Sequence, residues 1–347
     1  MRRYPTYSDK RRGKRNKKVI GLVLILSLFF AVKLYMNRRM PAPTFATDEQ
    51  VNLPLPELPE PVQQSPSVAE KKSQADQSQE FALPQLPETT TKENRRLKEL
   101  LRQVETSLSS ESKDIIEARD RLNEMLTLPM SNKQQAYIKK QMSLLSNEWL
   151  FSRQVYPSDT LCELYEVQIG DMFSNIAKKC KVPHEILMRI NNISDPRQLR
   201  AGETIKIING PFHCRINRST FTMDVYLHDT FVRSFVVGLG QPGMETPTGR
   251  WLVKSDGKLV QPTWTHPETG KTYQAHDPDY PLGARWIGLE GLEGEAKGRT
   301  GFAIHGTKNP EEIGKAVSRG CIRLYNEDVV LVYDLLMPGV SQVLVSD

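Results

Sequence analysis

The stretch that decides the reading is residues 304–324, IHGTKNPEEIGKAVSRGCIRL. It holds a histidine, His305, directly before a glycine, and a cysteine, Cys321, directly after one. A thiol attacks a carbonyl as its thiolate and needs a base or a cation beside it, which a histidine at a strand end can supply. Gly320 permits a tight turn whose backbone N–H groups point at a developing oxyanion. From these residues alone two readings stand: a catalytic pair, or a buried structural thiol with a histidine nearby. Around the stretch, 17 of the 21 glycines lie between Gly210 and Gly339. Short runs, FTMDVYLHD, TFVRSFVVGLG, RWLVKSD and QVLVSD, alternate with turn clusters such as LGQPGMETPTG and GLEGLEGEAKG. Their spacing predicts an all-β sandwich or barrel with one late helix near Val329–Leu336.

The pattern HGT, five residues, IG, three residues, SRGCIR resembles the signature of the YkuD-type L,D-transpeptidases. The likeness spans residues 212–347 and includes the VGLG and TPTG segments and PLGARWIGL. Papain-like and NlpC-like enzymes place the cysteine before the histidine; here the order is reversed. The resemblance implies a mainly-β catalytic domain that performs a two-step acyl transfer on peptidoglycan stem peptides. Cys321 would be the nucleophile, His305 the general base and acid, and the Gly306 backbone carbonyl the group that orients the imidazole. Gly320 and Cys321 would supply oxyanion N–H groups, and Ser318, Arg319, Arg323 and Trp286 would contact substrate. Arg319 stands where the family often has His, and Arg323 fits a structural salt bridge equally well. Trp286 and the segment Gly288–Gly298 are expected at the rim or lid of the cleft, with plain core as the alternative for the tryptophan. His213, His228, His266 and His276 lack metal-ligand spacing and read as non-catalytic, so neither metal nor cofactor is expected. Water as acceptor would make an L,D-carboxypeptidase, and a protein lysine would make a protein-attaching enzyme. A different class is a non-catalytic peptidoglycan-binding scaffold.

Upstream, residues 165–207 read YEVQIGDMFSNIAKKCKVPHEILMRINNISDPRQLRAGETIKI. The pattern predicts a strand into a turn at Tyr165–Asp171, helices at Ser174–Lys179 and His184–Asn191, and a strand at Thr204–Ile208. This βααβ unit, residues 163–208, resembles the LysM domain, which implies binding of N-acetylglucosamine-containing glycans such as peptidoglycan. On that resemblance Gly170, Asp171, Met172, Phe173, Asn192 and Ile193 line a shallow groove, with packing as the alternative for Phe173. His184 reads as a capping or surface residue. Cys162 and Cys214 flank the two strands, so an oxidising compartment would allow a disulfide between them, with Cys180 as the rival partner.

Before this unit, apolar residues recur at helical spacing through Leu97, Leu100, Leu101, Val104 and Leu108, then Ile115 to Leu126, then Ile138 to Trp149. Breaks at SLSSES and LPMSN divide residues 92–155 into a three-helix stalk. Residues 37–91 are proline-rich, as in LPLPELPEP, and read as a disordered linker. Residues 19–36 begin VIGLVLILSLFFAV and, at roughly 27 Å as a helix, just span a thin bilayer. A cleaved signal peptide is the competing reading, but Lys33, Arg38 and Arg39 stand where a small-residue cleavage site belongs.

Charge divides the chain in the same place. The whole carries 47 Lys+Arg against 41 Asp+Glu, yet residues 1–40 hold 12 of those cations and one acid. The remainder is therefore mildly acidic, which excludes a nucleic-acid-binding body. The basic tail, residues 1–18, predicts a cytoplasmic N-terminus, an inner-membrane anchor, and both later domains outside the cytoplasm in the periplasm. The expected fold class is thus α+β multidomain, with peptidoglycan and the membrane as partners.

Overall fold

Period-2 and period-3.6 patterns place most elements of this chain where the residues predict them. The computed structural model describes residues 92–109 and 113–347; the basic tail, the expected membrane helix at 19–36 and the proline-rich linker lie outside the described residues. No described helix is long and apolar enough to cross a membrane.

Three helices, α1 (Lys92–Ser109), α2 (Ile115–Met125) and α3 (Asn132–Trp149), follow the apolar stripes, burying Leu100, Leu122, Met142 and Trp149 completely. The breaks between them have local causes. Asp114 caps α2 by accepting from the Glu117 N–H at 2.9 Å, and Ser131 with Gln134 forms a reciprocal capping box on α3. Each such cap contributes about 1 kcal/mol.

The βααβ unit follows. β1 (Cys162–Glu166) pairs antiparallel with β2 (Thr204–Ile208), Tyr165 opposite Ile205, and between them run α4 (Phe173–Cys180) and α5 (His184–Ile190). Then come β3 (Phe212–Asn217), β4 (Thr222–Leu227), β5 (Thr230–Val236), β6 (Leu239–Gly240), β7 (Gly249–Leu259), β8 (Trp264–Thr265), β9 (Thr272–Tyr273), β10 (Trp286–Gly291), β11 (Phe302–His305), β12 (Ala316–Ser318), β13 (Ile322–Arg323), α6 (Asn326–Leu335) and β14 (Gln342–Ser346).

Eight of these strands form one mixed sheet in the order β13-β11-β10-β7-β14-β3-β4-β5, parallel only at β11–β13 and β14–β3. The expected sandwich or barrel takes the form of one sheet curled until its ends meet: just beyond β5, Gly238 exchanges two backbone hydrogen bonds with Arg323 of β13, at 2.9 and 2.8 Å. The 11-residue β7 is the reason: it pairs with β14 over its first half and with β10 along its length, through a register shift between Ile287 and Leu289. Such a bulge bends a strand without ending its ladder. The late helix begins at Asn326 rather than Val329, because Asn326, Glu327 and Asp328 form a polar first turn. Acids suit a helix N-terminus, but they carry no apolar period.

Residues 92–155 do not stand apart as a stalk. α3 lies along β5, the sheet's edge, and α2 touches the same strand. Asn123 accepts from the Phe231 N–H at 3.0 Å and donates to the Asp229 carbonyl at 3.2 Å. Lys139 pairs with Asp224 at 2.6 Å, and the Arg233 guanidinium lies over Phe151. A bare strand edge invites pairing with other chains, and these contacts cover it.

The βααβ unit is fixed at both ends. Lys206, wholly buried on β2, donates to the carbonyls of Trp149, Gln154 and Ser152 at 2.6, 2.7 and 3.1 Å. Its three N–H groups thus meet three acceptors at the C-terminal end of α3, where a cation also suits the helix dipole. On the other side Arg189 pairs with Asp334 of α6 at 2.5 Å, and Glu185 with Lys258 of β7 at 3.4 Å. Cys162, Cys180 and Cys214 are free and buried, so neither anticipated disulfide forms in the structure. Cys162 pairs with Ile208 in the small sheet, whereas Cys214 sits between Val225 and Val343 in the large one. Burial pushes the Cys162 thiol up to about 12, leaving it inert.

Candidate active site

Three neighbouring strands end at one place. Trp286 of β10 faces His305 of β11 in register, and His305 in turn faces Arg323 of β13. Cys321 immediately precedes β13, so the parallel pairing of Ile304 with Ile322 brings the thiol's turn beside the histidine's strand end. Both residues line one cavity of about 360 Å³, together with Trp286, Gly301, Arg319 and the tip of the β8–β9 hairpin.

His305 is buried, with its Nδ1 2.6 Å from the Gly306 carbonyl oxygen. A carbonyl only accepts, so Nδ1 carries the proton and Nε2 keeps its lone pair. The Trp286 ring stacks on the imidazole at 5.6 Å and 14°. Trp286 is thus a wall of the site rather than plain core. Burial pushes His305 down to about 4, despite the opposing bond to Gly306, so the ring is neutral near pH 7. Burial also raises the Cys321 thiol, while the Ala303 N–H and Arg323 pull the other way. The resting pair is therefore thiol plus neutral imidazole, an acid and a base with the proton still on sulfur.

The turn that carries Cys321 is locked from within. Ser318 Oγ accepts from the Gly320 N–H at 3.1 Å and donates to the Cys321 carbonyl at 2.6 Å. Thr246 Oγ1 donates to the Gly320 carbonyl at 2.9 Å and accepts from the Gly240 N–H at 3.1 Å. Gly320 itself stands at φ +104°, and a Cβ there would lie 2.6 Å from the Phe302 ring. Two expectations are corrected by this geometry. The Ser318 hydroxyl is engaged in the turn rather than held for substrate, and the Gly320 N–H is engaged by Ser318 rather than aimed at an oxyanion.

Arg323 takes the structural alternative. Its guanidinium pairs closely with Glu312, which also accepts from Thr307 Oγ1 at 3.1 Å and Asn309 Nδ2 at 3.2 Å. Arg319 reaches across the cavity mouth to pair with Glu268. Glu268 belongs to the β8–β9 hairpin, where Trp264 faces Tyr273 and His266 Nδ1 accepts from the N–H groups of Glu268 and Thr269 at 3.2 and 3.3 Å. The rim thus includes Trp264–Pro267 and the Glu268 that pairs with Arg319, whereas no residue of Gly288–Gly298, expected at the rim or lid, lines the cavity, Gly288–Gly291 being inside β10. Sequence reasoning missed Thr246, Glu268, His266 and Glu312 as parts of the site. Only the TPTG turn and the WTHPETGKTY alternation around a glycine offered a signal.

The second anticipated site is a surface of the βααβ unit. Gly170 and Asn192 are exposed at φ +90° and +58°, Met172 is 57% exposed, and Ile193 is half-buried. Asp171 accepts from Tyr165 Oη at 2.7 Å and the Gln168 N–H at 2.9 Å, which holds its carboxyl below the usual range. Phe173 is corrected to core: it opens α4 at 1% exposure beside Ile176 and Ala177. Ile169, at 96% exposure, stands apolar beside Met172 instead. His184 is half-buried, its side chain 45% exposed beside Glu185, which keeps it at the surface as expected.

Comparison with known proteins converges on these two parts. A family model of the L,D-transpeptidase catalytic domain (YkuD) matches residues 211–345, and one of the LysM domain matches residues 165–207. The chain is 35% identical over 134 residues to the YqjB protein of Bacillus subtilis, named as an L,D-transpeptidase, covering 38% of this chain and 69% of that one. It is 28% identical over 183 residues to the protein named L,D-transpeptidase YkuD of Bacillus licheniformis, covering 51% and 94% respectively. With the ErfK/SrfK protein of Escherichia coli, also named as an L,D-transpeptidase, it shares 36% over 192 residues, 51% of this chain and 56% of that one.

Proposed function

The chain belongs to the YkuD family of L,D-transpeptidases, and we propose that it joins peptidoglycan stem peptides through an acyl-enzyme on Cys321. The observation that carries this reading is the buried His305, its Nδ1 held by Gly306 and its ring in the same cavity as the thiol. His305 Nε2 takes the Cys321 proton as sulfur attacks the carbonyl of the third residue of a tetrapeptide stem. The C–S bond forms, the carbonyl oxygen becomes an oxyanion, and the Cys321 N–H is left to stabilise it because the Gly320 N–H is engaged. Collapse breaks the C–N bond, and the imidazolium gives its proton to the departing D-alanine. The amine of a second stem then attacks the thioester, returning the electron pair to sulfur and a proton through His305. The energy of the first amide is kept in the thioester, so no nucleotide is consumed.

The LysM domain implies peptidoglycan binding, and we assign that contact to the exposed turn around Gly170, Met172 and Asn192. Residues 19–36 are proposed as the anchor that keeps this body outside the cytoplasm. Protease treatment of spheroplasts tests it: a body protected until the membrane is lysed would reject the orientation. For the chemistry, intact-mass measurement after incubation with a carbapenem, which acylates by the same attack, should show one adduct on the wild type and none on Cys321→Ala. Absence of an adduct on the wild type would sink the acyl-enzyme. Incubation with disaccharide tetrapeptides then separates acceptors, since dimers mean an amine and tripeptides mean water.

A further inference from the structure

We propose that Asn326 is a positioning residue for the reaction, acting through the Gly306 carbonyl on His305; the inference rests on His305 being the base. The first residue of α6 lies neither in β11, which carries His305, nor in the turn that carries Cys321, yet its side-chain amide joins two segments beside the histidine. Asn326 Oδ1 accepts from the Ala284 N–H at 3.0 Å, and Nδ2 donates to the Thr307 carbonyl at 2.9 Å. The Gly306 N–H meanwhile donates to the Arg285 carbonyl at 3.3 Å. The peptide groups before and after Gly306–Thr307 are therefore both tied down, and the one between them carries the oxygen that holds His305 Nδ1.

The packing is built around the same amide. A Cβ on Gly283 or on Gly306 would stand 2.1 or 2.2 Å from Asn326 Oδ1, so both segments approach the side chain as closely as glycine allows. A carbonyl free to rotate would release Nδ1, and the imidazole would lose both its tautomer and its aim. Asn326 thus links the segment Gly283–Ala284, the histidine's turn and the helix that follows the cysteine.

The test uses the full-length chain in detergent, with a carbapenem as the acylating probe and ¹⁵N-histidine labelling. Asn326→Ala removes both bonds; Asn326→Asp keeps the volume and the acceptor for Ala284 but loses the donor to Thr307. Both variants should acylate more slowly, on the order of tenfold to a hundredfold, with little change in melting temperature. The His305 Nδ1 proton, shifted downfield by its short bond to Gly306, should move upfield or broaden in both. Acylation within twofold of wild type with that signal unmoved would overturn the proposal. So would slowing that only tracks loss of folded protein while the signal of the folded fraction stays put. If the alanine variant does not fold, the aspartate variant decides. A wild type that takes no carbapenem would reject the acyl-enzyme instead, and the Nδ1 signal alone would still decide for or against Asn326.

Discussion

At residues 168–173 and again at residues 318–321 the chain makes a turn of the same kind. Each contains a glycine at strongly positive φ, +90° at Gly170 and +104° at Gly320. Each is pinned by a short polar side chain, Asp171 holding the Gln168 N–H and Ser318 holding the Gly320 N–H. Their surroundings differ. Around Gly170 a Cβ would meet nothing within 4 Å, and the residues beside it, Ile169 and Met172, face solvent. Around Gly320 the Phe302 ring, the Thr246 hydroxyl and the hairpin's Glu268 partner crowd in. A turn that offers its side chains to a polymer can be open. One that must hold a thiol in a fixed place beside a neutral imidazole has to be packed, because misplacement by about 1 Å can cost a hundredfold in rate.

The largest effect that would break this comparison comes from alanine at the two glycines. Gly320→Ala must strain φ and displace Phe302, so carbapenem acylation should fall by a hundredfold or so. Gly170→Ala bears the φ strain alone, about 1 kcal/mol, and should acylate within twofold of wild type. Equal losses would mean that the two turns are mechanically one. Lys206 is the next lever, since it fixes the LysM unit to α3. Lys206→Met leaves three carbonyls without their donor, and denaturant titration should show a loss of about 3 kcal/mol.

The acid response separates the turns further. His305 binds its proton near 4 when folded and near 6.5 when unfolded, so the unfolded chain takes up more protons between those values. Stability from keeping it neutral is whole above about 6.5 and lost as pH falls toward 4, up to about 3 kcal/mol. Asp171, held below the usual carboxylate range, stays ionised through that window. His305→Gln should flatten the pH dependence of unfolding, measured by chemical denaturation; an unchanged slope would reject the assignment. The smallest effect lies at the rim. Arg319–Glu268 is largely exposed, so Glu268→Gln should cost under about 1 kcal/mol in hairpin order. Its acylation rate should lose the salt dependence that the wild type shows, as read from progress curves at two ionic strengths.

Local patterns carried much of this into the sequence. The three helices are legible because Leu97 to Trp149 keep one period, and β2 is bounded as read because Thr204–Ile208 follows an A-G-E turn. His305 and Cys321 are legible because their constraints lie within a few residues of glycine. Thr246, Glu268, Glu312 and Asn326 are not, since each acts on a segment its own neighbours do not reveal. Phe173 shows the opposite difficulty: a large apolar residue at a helix start suits a groove or a core, and only α4's packing separates them. The stalk reading failed similarly, because an apolar stripe shows that a face is buried without showing against what.

Both cations lining the catalytic cavity among the described residues, Arg319 and Arg323, are arginines. A guanidinium keeps its proton at any physiological pH and so has no lone pair with which to attack. Under the proposed acyl-enzyme mechanism, a thioester awaiting an amine would thereby be safe from the charged side chains of its own cavity. We predict that Arg319→Lys would forfeit that safety: the acyl group should pass from Cys321 to the new lysine, leaving an adduct that peptide mapping finds at residue 319 and that hydroxylamine does not remove. A thioester that survives intact in that variant would reject the idea.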